Sequence, residues 1–261
     1  MKNVKQRGFT LIELLVVISI IGILAGILLP ALTKAKVAAK VAQAKTEIKG
    51  IEAAINQYNS SYTRYPTSQA VRKDGVTAFN PDYTYGTYGT TAPNSAAYVP
   101  KGAKQGASVT IPVTAAKVQT NNSEVVAILM DINRDPLKGS VKGNPENKQG
   151  IVFLNAKFAN DKVGPGVSKD DGVYRDPWGS PYIITLDLNY DNSCRDGFYR
   201  GNSVSTDPKS PGKGYNGFVL AEKDSWELRT GVMVWSLGPD RMATPNAPAN
   251  IAPNKDNITS W

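Results

Sequence analysis

Glu13 lies inside an apolar run of 24 residues, 9–32 (FTLIELLVVISIIGILAGILLPAL), in which the other hydrogen-bonding side chains are Thr10 and Ser19. An ionised carboxylate in hydrocarbon costs roughly 2.5 to 3.5 kcal/mol even on insertion scales, and such groups are normally paired or functional. The run itself holds no Lys or Arg to pair with it. The border between polar and apolar sequence is Arg7-Gly8-Phe9. A cut after Gly8 would place a new α-amino group on Phe9, about one helical turn from Glu13. The same amine on a neighbouring copy could also reach the carboxylate. The chemistry of this pair is ion pairing within or between chains, which is a device for self-assembly.

A second constellation lies near the C-terminus, where Ser236-Leu237-Gly238-Pro239-Asp240 and the segment NKDNITSW (residues 254–261) bracket a loop. Calcium takes about six to eight oxygens from carboxylates, amides and backbone carbonyls, and needs neither histidine nor thiolate. Asp240, Asp256 and Asn257, with the carbonyls of Leu237 and Met242, form a donor set that could close around one ion. Order would be gained in a segment with little apolar material. The same residues are ordinary loop formers, and their spacing is not that of an EF-hand. A further acidic stretch, DLNYDNSCRD with Asp187, Asp191 and Asp196, reads as a solvated hairpin in preference to a second cation site.

Composition removes much other chemistry. The 261 residues include no histidine, which excludes a His-based triad, a His proton shuttle and zinc sites of the HExxH or Cys2His2 type. The single cysteine, Cys194, forms no internal disulfide and reads as a buried thiol. The net charge of +8 falls to +5 without Lys2, Lys5 and Arg7, and the remaining basic residues alternate with acids and turn residues. No basic stripe with interleaved aromatics is present, so no nucleic-acid partner is expected.

The elements that must position these groups begin with the apolar run, which is long enough to span a bilayer as a helix. Its flanks do not fix its orientation, because Lys34, Lys36, Lys40 and Lys45 follow it as Lys2, Lys5 and Arg7 precede it. No further proline occurs between Pro30 and Pro66, and the intervening sequence is rich in Ala, Lys, Glu and Gln. One helix is therefore predicted to about residue 58, some 75 Å long at about 1.5 Å per residue. Val37, Val41, Ile48, Ile51, Ile55 and Tyr58 form a stripe at helical spacing that would lie on a sheet, with Lys34, Lys40, Lys45 and Lys49 in water. Beyond it, EVVAILMD (residues 124–131) and GIVFL (150–154) read as core, and IITLD (183–187), residues 217–221 and GVMVWSL (231–237) read as strands. DPWGSPY (176–182) reads as a structural turn. PDYTYGTYGTTAPNSAAY (81–98) reads as a surface loop in preference to a binding surface of exposed tyrosines. Trp261 is expected to dock on the domain and pin the tail. The fold class predicted is α+β, a long N-terminal helix packed on an antiparallel sheet of three or more strands, with long loops.

The motif Gly8-Phe9-Thr10-Leu11-Ile12-Glu13 resembles the cleavage and methylation site of type IV prepilins and type II secretion pseudopilins. Pro30 sits where many members carry a helix-kinking proline. The Arg64-Tyr65-Pro66 segment, Asp176-Pro177-Trp178-Gly179, the SLGPD loop and the NITSW ending occur in the order found in major pseudopilins, the most similar group. The resemblance implies a leader at 1–8, removed by a prepilin peptidase that methylates Phe9, and a transmembrane and filament-core helix at 9–32. It further implies an extracytoplasmic pilin-like domain at 33–261, in which 72–170 is enlarged. Glu13 would direct subunit registration, and the C-terminal loop would hold structural calcium. Asn257 stands where an acid is common, Lys255 lies close by, and the intervening segment is longer than in the family. The implied protein is no enzyme. It is a pseudopilus subunit at the bacterial inner membrane with a periplasmic domain, whose partners are its own copies, minor pseudopilins, the peptidase and the inner-membrane assembly platform. The alternatives are a type IV pilin for adhesion, motility or DNA uptake, and a membrane-tethered enzyme or binding protein.

Overall fold

A computed structural model describes residues 9–74, 81–86, 108–109, 121–135, 139–161, 164–210, 212–222 and 225–261. The chain divides into two compact units, Met1–Lys40 and Val41–Trp261. Helix α1, Leu11–Tyr62, runs through both. In the first unit none of the described side chains is buried, and the apolar ones from Phe9 to Leu32 are exposed apart from Ala25, which is half-buried. By length and composition this helix can cross a membrane. Its polar residues are satisfied locally, Ser19 Oγ donating to the Leu15 carbonyl at 2.8 Å and Thr33 Oγ1 to that of Leu29 at 3.0 Å. Pro30 is accommodated within the helix, although it removes one backbone donor.

The helix ends four residues later than predicted. Ser60 and Ser61 turn their hydroxyls back onto the carbonyls of Asn56 and Gln57, and the Tyr62 ring stacks on Tyr58 at 4.5 Å. Thr63, at φ +56°, then breaks the chain out. Among the described residues short helices follow, α2 (Gln69–Asp74), α3 (Ser123–Leu129) and α4 (Asn202–Ser205).

In the second unit the strands used here are β1 (Tyr83–Tyr85), β2 (Ile183–Leu186), β3 (Val219–Glu222), β4 (Ser225–Glu227), β5 (Val232–Ser236) and β6 (Ile258–Thr259). Four of them form an antiparallel sheet in the order β1-β2-β5-β6, while β3 and β4 pair as a separate hairpin. The register aligns Tyr83, Leu186 and Val232, and next to them Tyr85, Ile184 and Val234. These side chains share one core with Ile48, Ile51, Ile55 and Tyr58 of α1 and with Val125, Val126, Ile128 and Leu129 of α3. Alternate residues of the same strands, Ile183, Met233 and Trp235, enter a second core on the opposite face. It contains Cys194, Phe198, Tyr199, Val204, Phe218, Trp226 and Leu237. The sheet is thus covered on both sides, which is why β5 (VMVWS) is buried at all five positions.

The predicted stripe on α1 is confirmed from Ile48 to Tyr58, with Ala44 and Ala54 filling the gaps, whereas Val41 is half-buried and Val37 exposed. Two readings are corrected. GIVFL is core only in its second half: Phe153 and Leu154 donate to the Leu129 carbonyl and pack on the first core, leaving Ile151 and Val152 exposed. The start of the tyrosine-rich stretch is no surface loop, because Tyr83 and Tyr85 are buried in β1 and Tyr85 Oη donates to Glu124 at 2.8 Å. Residues 87–98 of that stretch lie outside the described residues.

Candidate functional site

Gly8 lies outside the described residues. Phe9 is 85% exposed at the start of the described chain. Two residues of the predicted assembly motif meet directly: Glu13 Oε2 accepts the Thr10 backbone N–H at 2.8 Å and the Thr10 hydroxyl at 2.7 Å. The Glu13 N–H points back to Thr10 Oγ1 at 3.3 Å. This is a reciprocal cap of the Thr-x-x-Glu kind, which satisfies amides that the first turn of a helix leaves without partners. The spacing was visible in the sequence, but the predicted partner for Glu13 was an α-amino group. The chain therefore gives this carboxylate an internal partner in Thr10.

At the C-terminal loop the two predicted halves converge. Gly238, at φ +69°, lies so close to the Asp256 carbonyl that a Cβ on it would fall 2.0 Å from that oxygen. Glycine is required there on both counts. Asp240 Oδ1 accepts the Met242 N–H at 3.0 Å. Burial pushes the Asp240 carboxyl above its ordinary range, and the nearby charge of Asp256 adds to the effect. Asn257 Nδ2 donates to Tyr199 Oη at 2.9 Å, but its Oδ1 is buried without a hydrogen-bond partner. Two neighbouring carboxylates and an unpartnered amide oxygen suit a hard cation, which would offset both costs. Among the described residues no group of three or more Cys, Asp or Glu side chains is placed to hold a metal, so such an ion would depend on neutral oxygens as well.

Sequence reading missed the residue that shapes this loop. Asn254 is buried, donates to the carbonyls of Thr244 and Ala247 at 2.8 and 2.6 Å, and accepts the Thr244 N–H at 2.8 Å. The tail beyond it is pinned as expected: β6 pairs with β5, and Trp261 meets Tyr199 edge-on at 5.2 Å and Phe218 at 5.8 Å.

The stretch with Asp187, Asp191 and Asp196 is not a solvated hairpin. Asp187 and Asp196 are buried and only Asp191 is exposed. Asp196 accepts the N–H groups of Phe198 and Tyr199, the Thr185 hydroxyl at 2.6 Å and the Trp235 indole N–H at 3.1 Å. Asp187 accepts the N–H groups of Asp191 and Asn192. Asp82, not singled out from the sequence, accepts those of Leu188 and Arg195. Burial, reinforced by the Asp187 and Asp191 charges, raises the Asp82 carboxyl to about 7. Asp176 of the DPWG turn is likewise structural. It accepts the Trp178 and Ser180 N–H groups at 2.9 Å and the Ser236 hydroxyl at 2.6 Å, and burial raises it to about 6.

Residues 3–29 match the family described as the prokaryotic N-terminal methylation motif. Over 69 residues the chain is 41% identical to type II secretion system core protein G of Klebsiella michiganensis, covering 26% of this chain and 49% of that protein. It is 44% identical over 69 residues to the protein of the same name from Pseudomonas aeruginosa, again 26% and 49% of the two chains. It is also 44% identical over 63 residues to the type IV major pilin protein PilA of Myxococcus xanthus, covering 24% of this chain and 29% of the pilin. The chain spans about half the length of the core G proteins that it matches. No solved structure matches it significantly.

Proposed function

We propose that this chain is a structural subunit of a type II secretion pseudopilus, cut after Gly8 and polymerised through its N-terminal helix to drive protein export across the outer membrane. The observation that carries the reading is the methylation motif over residues 3–29, continuous with a helix long and apolar enough to cross a membrane. On this reading residues 1–8 are the leader, 9–32 span the inner membrane before entering the filament core, and 33–261 lie in the periplasm. The prepilin peptidase exposes the Phe9 amine, and Glu13 exchanges its Thr10 bonds for that cation on the same or a neighbouring subunit. Copies of the chain, minor pseudopilins and the inner-membrane assembly platform are the partners. The role is architectural and not enzymatic, in line with relatives named as a secretion core protein and a pilin.

A calcium ion belongs to this reading as a structural cofactor. Asp240, Asp256 and the Oδ1 of Asn257 would hold it, with carbonyls such as those of Leu237 and Met242, and it would supply charge neutralisation that orders the loop.

Mass spectrometry of protein extracted from membranes tests the processing step. The expected N-terminus is N-methylated Phe9, and a chain still beginning at Met1 would overturn it. Glu13→Ala is expected to leave the domain folded and the helix inserted while filaments disappear; normal filaments from this variant would remove the registration role. The pilin from Myxococcus xanthus supports a second reading, a type IV pilus subunit. Deleting the gene separates the two, since loss of exoprotein release marks a pseudopilus, and loss of surface motility, adhesion or DNA uptake marks a pilus.

A further inference from the structure

Residues 14–46 contain no acidic side chain, yet Lys34, Lys36, Lys40 and Lys45 follow directly on the apolar run. All four are exposed, and none makes an ion pair among the described residues. Elsewhere on α1 a lysine is matched, as Lys49 is by Glu52 at 2.8 Å. An uncompensated block of cations beside an apolar helix calls for an external anion.

Helical geometry selects which lysines share a layer. Taking Leu32 as the end of the apolar run, Lys34, Lys36 and Lys40 lie about 3, 6 and 12 Å further along the axis. The headgroup zone on one side of a bilayer is about 5 to 8 Å deep. Lysine stems lie along apolar surface and let the ammonium reach back toward it, so all three can occupy that zone. At 100° per residue Lys36 and Lys40 share one side of the helix and Lys34 faces the other, so cations surround it. Lys45, about 20 Å along, is out of reach.

We infer that Lys34, Lys36 and Lys40 form a collar that binds the phosphates of anionic lipid headgroups around the membrane-inserted subunit. The inference rests on the membrane-spanning reading of residues 9–32. Its physical basis is the attraction of basic residues next to a span for a negatively charged bilayer surface, an effect that falls off within a Debye length. The collar would gather acidic lipids at the subunit and fix the depth of α1 until the helix leaves the bilayer.

The full chain, reconstituted in phosphatidylcholine bilayers, is tested with spin-labelled phosphatidylglycerol and spin-labelled phosphatidylcholine, reading the fraction of each that is motionally restricted at the helix. At low salt the unaltered protein is expected to prefer phosphatidylglycerol by about threefold or more. That preference should vanish in the triple variant Lys34→Gln, Lys36→Gln, Lys40→Gln, weaken in about 0.5 M salt, and persist in Lys45→Gln. Equal restriction of the two lipids by the unaltered protein, or a preference that survives the triple change, would overturn the collar while leaving the span intact. No restricted lipid of either kind would overturn the span itself, and the collar with it.

Discussion

The Lys49 ammonium on α1 donates to the carbonyl oxygen of Ser260 at 2.6 Å and so ties the helix to the strand that closes the sheet. Ser260 is held on its other side, its N–H donating to the Val234 carbonyl at 2.9 Å and its hydroxyl accepting the Val234 N–H at 3.1 Å. Lys49→Met keeps the stem and removes the donor. A charge-assisted bond at a largely exposed lysine predicts a loss of about 0.5 to 1.5 kcal/mol. Hydrogen exchange should quicken at residues 258–261 before it does elsewhere in the sheet.

Asp196 is the hub of the second core, and four donors converge on it without access to water. Asp196→Ala strands the Trp235 indole N–H and two backbone amides and leaves the Thr185 hydroxyl with Thr84 Oγ1 as its partner. Leaving buried donors unsatisfied costs about 1 to 3 kcal/mol per group, so about 3 to 5 kcal/mol or more is expected. Thermal unfolding of the full chain in mild detergent would read this loss. Asp196→Asn, which keeps one acceptor, should lose less.

Stability should depend on pH through Asp82 and Asp176. Burial raises their folded pKa values to about 7 and about 6, above the unfolded values near 4. The folded chain then holds more protons than the unfolded chain between about pH 4 and 7, so this contribution is full below pH 4 and is lost as pH rises. The melting temperature is expected to fall by a few degrees from pH 5 to pH 8, corresponding to about 1 to 3 kcal/mol. Asp82→Asn should flatten the profile, and an equally steep profile in that variant would assign the dependence elsewhere.

Calcium should raise the melting temperature of the full chain, and chelation should reverse the rise. With calcium at about a hundred times its Kd the gain is about 2.7 kcal/mol. Asp240→Ala should abolish the response while changing the metal-free protein little, because it removes a carboxylate that burial and Asp256 already disfavour. A calcium response that survives this substitution would place the ion elsewhere.

Sequence patterns revealed the first core better than the second. Ile48, Ile51, Ile55 and Tyr58 repeat with the helical period, and IITL and VMVWS are dense apolar runs, so helix, sheet and their contact were readable. Phe198-Tyr199, Phe218 and Trp226 come from separate short segments set among Gly, Asn, Asp and Ser, and such loop-like sequence carries no period to mark a core. Asp187 and Asp196 misled, and Asp82 was passed over, for a related reason. A carboxylate serving as acceptor for buried amides has the same local sequence as one in water, and only the tertiary fold distinguishes them. At the N-terminus the Thr10-x-x-Glu13 spacing was plain, but an apolar context directed attention to a charge partner in place of a cap.

Covering the sheet on both faces has a kinetic consequence. The core that holds Ile48 also holds Ile258, more than two hundred residues away in the chain. Helix α1 needs only local bonds and can form at once, but its apolar stripe stays bare until distant strands have found one another. Such non-local pairing belongs to the slow class of domain folding, milliseconds to seconds. During that interval β5, with an uninterrupted apolar run from Val232 to Trp235, is the segment most open to mispairing with another chain.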